Sequence, residues 1–385
     1  MKKELDRWHL DTANEEEFLA ALRDQEQNST TEAVHRGEMK VHGLDDGNEA
    51  WMLSVDRDID PELTQECQQE GSQLYVTIGD KVALVDTCAM PSMKAAAGVG
   101  GPVFSLLDPS IRARQLNEDL AAMSHGSRRK RDVLLLRYGK LCAVRSQQYA
   151  PIPGPELMEI AMRKLPEFVG EMTFTEGHVD HGYISGFWDL AVTGKDVKDK
   201  ANSLTTLGHH LADPKGEYHF AVKVSSNDSS MSSAQVTPYL STDWGYLPIG
   251  DPVKTEHVYT EGVDPCTRFE KSLERVFPRF RDALADLIRL EMFTVEHPEN
   301  LVVNLCNHVK IPKKYGEAVL ERVMATRPAT GAQLYTCFAA VTEMAQAEGL
   351  SPFYQSILED KLANLLRANW SKYDTLVPTA WGKAA

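Results

Sequence analysis

The chain has 385 residues, 42% of them hydrophobic and 25% charged, and carries a formal net charge of -15. Those proportions exclude fibrous, collagen-like and wholly disordered classes and leave room for two or three units that each bury a core. No apolar run reaches the ~18 residues that a membrane helix needs, and the start lacks a signal-peptide core, so neither a membrane span nor export is expected.

Residues 1–70 hold 19 Asp and Glu against 7 Lys and Arg. With one short helical pattern, Phe18, Leu19 and Leu22, they read as an acidic, loosely ordered N-terminal extension. "QLYVTIGDKVALVD" then alternates about Gly79-Asp80, which predicts a β-hairpin. Residues 88–107, with "AAAGVGGP", read as a loop of small residues, and no Lys-Ser/Thr follows its glycines to make a phosphate-binding loop. "DVLLLRYGKLCAVRS" predicts a second hairpin turning at Tyr138-Gly139-Lys140. A helix should open at Pro153-Gly154-Pro155 and bury Leu157, Ile160, Ala161 and Leu165.

Four strand candidates follow: "EMTFTEG", "GYISGFWDLAVTG", "EYHFAVKVSS" and "SAQVTPYLS". From about residue 267 the period becomes helical, with Phe269, Leu273, Val276, Phe277, Phe280, Leu284, Leu287 and Ile288 at helical spacing and Pro278 as a kink or break. The expected class is α+β: antiparallel hairpins and a sheet packed with a helix, then a C-terminal helical bundle. The expected division is 1–70 extension, 71–255 core and 256–385 helical region.

The charge is uneven. Residues 108–145 carry Arg112, Arg114, Arg128, Arg129, Lys130, Arg131, Arg137, Lys140 and Arg145 against four acids, a basic island in an acidic molecule. Cations along one hairpin, with Tyr138 and Tyr149 as stacking faces, are the combination that single-stranded nucleic acid requires. Cys67, Cys88, Cys142, Cys266, Cys306 and Cys337 stand singly, as buried, reduced thiols of a cytosolic protein do. "GHVDHGY" brings His178, Asp180 and His181 together, but alternation along a strand turns His181 away from the other two. "KVSSNDSSMSSAQ" has no nucleophile elbow, and Asn227-Asp228-Ser229 reads as a hairpin tip.

The order "LLLRYGKLCAVRSQQYAPIPGPELMEIA", "YHFAVKVSSNDSSMSSAQVTPYL", "PENLVVNLCNHVKIPKK", "GAQLYTCFAAVTEMAQAEGLSP" and "LEDKLANLLRANWSKYDTL" resembles the phage/plasmid-like protein family, over about residues 130–376. Where that family often has Ser-Asp/Glu-x-Gly, this chain has Ser226-Asn227-Asp228-Ser229. The resemblance implies no settled activity. Its segment order is similar to that of phage single-strand annealing recombinases, which form rings or filaments and hold single-stranded DNA without ATP.

The function expected is therefore non-catalytic single-stranded DNA (or RNA) binding and annealing in a bacterial host cytosol, by a homo-oligomer with no cofactor. One alternative is a metal-dependent nuclease or hydrolase using His178, Asp180 and His181. The other is a phage interaction protein acting through its acidic N-terminal segment.

Overall fold

A computed structural model describes residues 9–47, 71–126, 131–190, 219–229, 232–242, 245–258, 262–377 and 380–381. Its first elements are β1 (His9–Thr12), α1 (Glu15–Gln27), β2 (Ser29–His35) and β3 (Met39–Gly43). Residues 9–43 are thus woven into the fold, against the expectation of a loose extension. The acids themselves explain this. Glu15, Glu16 and Glu17 occupy the first turn of α1, where the helix dipole favours negative charge, and the Asn14 side chain caps the Glu17 N–H. Behind them Phe18 and Leu22 are fully buried.

Next come β4 (Leu74–Ile78), β5 (Lys81–Leu84), α2 (Met90–Ala97), α3 (Pro109–Gly126), β6 (Arg131–Arg137), β7 (Lys140–Ser146) and α4 (Gly154–Val169). Both expected hairpins form, β4 with β5 and β6 with β7, each antiparallel. At the second turn Tyr138 and Gly139 both have positive φ, 50° and 78°, the twist that a two-residue hairpin loop demands. The small-residue segment after Cys88 is a loop only over residues 98–101: residues 90–97 make α2, closed by Gly98 at φ 74°, and residues 102–106 form a tight 3-10 turn. Alanines have high helix propensity and let α2 approach β7 and α3 closely.

The strands β8 (Met172–Asp180), β9 (Tyr183–Leu190), β10 (His219–Asn227), β11 (Ser232–Thr242), β12 (Gly245–Pro248) and β13 (Val253–Thr255) follow. They build a seven-stranded antiparallel sheet in the order β1-β8-β9-β10-β11-β12, with β13 also on β11. Two three-stranded sheets stand beside it, β2-β6-β7 and β3-β4-β5, tied to each other by a parallel bridge between Val85 and Leu141.

The remaining helices are α5 (Pro265–Ser272), α6 (Val276–Glu291), α7 (Pro298–Val309), α8 (Lys313–Thr326), α9 (Gly331–Cys337), α10 (Ala339–Ala347) and α11 (Pro352–Leu366). Pro278 kinks nothing. It lies in the first turn of α6, where its missing N–H has no partner to lose, and the break falls earlier, in a tight turn at Leu273–Arg275.

The α+β class holds, but the cores divide the chain differently from the expected boundaries. One core runs from Phe18 through α4 and the seven-stranded sheet to Trp370 in the helical region. A second joins Val34, β3, β4, α2, α3 and the β6–β7 hairpin. Thus 71–146 and 152–249 belong to different cores, and the C-terminal helices share the core of the large sheet. Among the described residues no helix is long and apolar enough to cross a membrane.

Candidate functional site

Three turns and one hairpin meet where the three sheets adjoin. The β6–β7 hairpin brings Arg137, Lys140, Cys142 and Arg145. The residues after β5 bring Asp86 and Cys88, the β8–β9 turn brings Asp180 and His181, and the β10–β11 turn brings Asn227, Asp228 and Ser229.

Asp228 is the centre of this arrangement. Arg137 Nη2 lies 2.5 Å from its Oδ2 and Arg145 Nη2 lies 3.6 Å from its Oδ1, with the two arginine side chains only 3% and 2% exposed. Arg145 Nε also donates to the Asp228 carbonyl at 2.9 Å, and Arg137 Nη1 donates to the His181 carbonyl at 2.5 Å. The Asp228 N–H donates to Gly182 O at 3.0 Å. The tip is an Asx turn, with Asn227 Oδ1 accepting the Ser229 N–H at 2.9 Å. Burial pushes the Asp228 carboxyl up, but Arg145, Arg137 and His257 together hold it below the ordinary carboxylate value.

This geometry corrects the expected phosphate track. Arg137, Lys140 and Arg145 are buried, because β6 and β7 face the large sheet and not solvent. Tyr149 donates to Asp228 Oδ1 at 3.3 Å, while Arg145 lies 4.3 Å over its ring and His257 stacks on it at 5.1 Å. Tyr138 donates to Asp24 Oδ2 at 3.0 Å and sets its ring against His181. Both hydroxyls are thus engaged within the fold, and the Tyr149 ring is packed against Arg145 and His257. Arg112 is also buried, donating to Gln73 Oε1 at 3.0 Å. Arg114 on α3 and Arg131 at the start of β6 are exposed. Arg128, Arg129 and Lys130 lie outside the described residues.

The histidine cluster divides as strand alternation requires. His178 Nδ1 is 2.6 Å from Asp11 Oδ1 and its Nε2 is 3.2 Å from Asp180 Oδ2. Both ring nitrogens therefore donate, and the ring is an imidazolium with no lone pair for a metal. Burial opposes that charge, but the hydrogen bonds to Asp11 and Asp180 outweigh it and raise the pKa to about 9. A histidine raised in this way stabilises the fold fully below its unfolded value, about 6.5, and the contribution disappears as pH rises through about 9. We expect wild-type stability in urea to fall by about 3 kcal/mol between pH 6.5 and 9.5, and His178→Gln to remove most of that slope. An unchanged slope in the variant would exclude His178 as its source.

His181 points the other way, toward Asp86, with Nε2 3.9 Å from Oδ2. Asp86, Cys142 and His181 each place one ligand-type atom within 4.8 Å of the others, and all three are buried. The sequence reading missed Asp86 and took Cys142 for a packing thiol. The one available signal was the acid-x-Cys step that directly follows a strand, which is too common to stand out.

Comparison with protein-family models, with curated proteins and with solved structures gives no match. The functional reading therefore rests on the residues, their order along the chain and their geometry.

Proposed function

We propose that the chain is a non-catalytic, cytosolic single-stranded DNA-binding and annealing protein of phage or plasmid type that works as a homo-oligomer. Its contact would lie in the basic run Arg128, Arg129, Lys130 and Arg131 with Arg114, not along the hairpin. The observation that supports this is the division of the basic island. The hairpin cations are turned inward as structural ions, whereas Arg114 and Arg131 are exposed and make no ion pair with a described residue. Arg131 continues a run of three further cations, Arg128, Arg129 and Lys130, the densest run of positive charge in an acidic sequence. The engaged tyrosines suit annealing, which needs phosphates held and bases left free to pair. The resemblance to phage/plasmid-like proteins belongs to the same reading.

Binding of a labelled single-stranded oligonucleotide, followed by anisotropy across a salt series, tests it. With five contacting cations, log K is expected to fall against log[salt] with a slope of about -3.5. Replacing Arg128, Arg129, Lys130 and Arg131 by Ala should leave a slope below about -1 in magnitude. No binding at low salt, or an unchanged slope in the variant, overturns the proposal.

A further inference from the structure

We propose that Asp86, Cys142 and His181, joined by Cys88, form a site for one zinc-class divalent ion that pins the three sheets together. The inference is independent of nucleic-acid binding.

The first argument is an unmet acceptor. Asp86 is 1% exposed. Its Oδ1 accepts the Cys88 N–H at 2.9 Å, but Oδ2 has no hydrogen-bond partner among the described residues. A buried carboxylate oxygen left so costs about 1–3 kcal/mol or more and calls for an explanation. His181 Nε2 is 3.9 Å away, too far for a hydrogen bond. With bonds of about 2.0–2.3 Å, ligand atoms on a tetrahedron are about 3.3–3.8 Å apart, so the pair has only to close by a few tenths of an ångström to hold one ion.

The donor set is the second argument. Thiolate and imidazole with one carboxylate select a borderline-soft ion over magnesium or calcium. Cys88, two residues beyond Asp86, donates its thiol to the Cys142 carbonyl at 3.3 Å, which brings a second sulfur to the edge of the cluster.

Charge is the third. One divalent ion with the Asp86 carboxylate, the Cys142 and Cys88 thiolates and a neutral His181 carries one negative charge, which Lys140, a buried cation that acts on Asp86, offsets. A buried site tolerates a neutral total and not a net charge. Ligands on three separate sheets and full burial make the site structural.

Cobalt(II) and zinc(II) titrations of the full chain, stripped with chelator, provide the test. One equivalent of cobalt should give thiolate-to-metal charge-transfer absorption with tetrahedral visible bands, and zinc should displace it. Cys142→Ala and His181→Gln should each weaken binding at least tenfold. No charge-transfer absorption in the wild type, or wild-type cobalt affinity in either variant, overturns the site. If neither variant folds, the decision passes to Cys88→Ala at the rim: a reduced charge-transfer intensity upholds the site, and an unaltered spectrum overturns it.

Discussion

Asp228→Asn is expected to destabilise the folded chain by about 3–5 kcal/mol, the cost of leaving buried cations without their counter-ion. The substitution keeps the size of the side chain and keeps the main-chain carbonyl that Arg145 Nε uses. What it removes is the negative charge shared by Arg137 and Arg145, both almost wholly withdrawn from water. Asparagine cannot offset two guanidinium ions. Urea unfolding followed by tryptophan fluorescence measures the effect. A loss under about 1 kcal/mol would mean that water reaches the arginines and that the cluster is not a buried ionic centre.

The pH dependence has a definite sign. Asp228 is held below the ordinary carboxylate value, so its contribution is complete above the unfolded pKa of about 4 and disappears as pH falls through the folded value. Wild-type stability should therefore drop steeply below pH 4, and the Asn variant should lack that portion of the drop. In a double-mutant cycle, Arg137→Met should recover part of the loss in the Asp228→Asn background, since one unpaired charge is then gone.

The legible part of the fold was what local pattern encodes. Gly79-Asp80 and Tyr138-Gly139-Lys140 marked their hairpins because turns have their own residue chemistry. Leu157, Ile160, Ala161 and Leu165 marked α4 because helical burial has a period. The acidic start was misread because composition carries no sign of position: three glutamates in a first turn stabilise a helix, although the same residues counted in bulk suggest disorder. The basic island failed for a related reason. Arg137 and Arg145 have the same letters as Arg114 and Arg131, and what separates them is an aspartate 83 residues beyond Arg145. Counter-ions supplied across such distances are set by topology, which periodicity does not report. The grouping of Asp86, Cys142 and His181 was hidden for the same reason, its members arriving from different sheets.

Glu359→Gln is expected to cost about 3–5 kcal/mol as well, through a different joint of the molecule. Lys223 stands in the middle of β10, paired with Phe187 on one side and Thr237 on the other, a position that a sheet core normally gives to an apolar residue. Its Nζ lies 2.8 Å from Glu359 Oε2 on α11, with the two side chains 5% and 12% exposed, and 5.1 Å over the Phe187 ring. Burial alone would drive the amine neutral; Glu359 reverses this and holds its pKa above the ordinary lysine value. In the wild type that contribution is intact below the unfolded pKa of about 10.4 and is lost only in stronger base. Removing the carboxylate inverts the sign. The lysine of the Gln variant then prefers to be neutral when folded, so the variant should regain stability relative to the wild type as pH rises from about 7 to 10. The double replacement Lys223→Met with Glu359→Leu should come within about 1 kcal/mol of wild type or exceed it, because packing substitutes for an ion pair whose desolvation was costly. A Gln variant that neither loses stability nor responds to pH would show that α11 is held on the sheet by its apolar face alone.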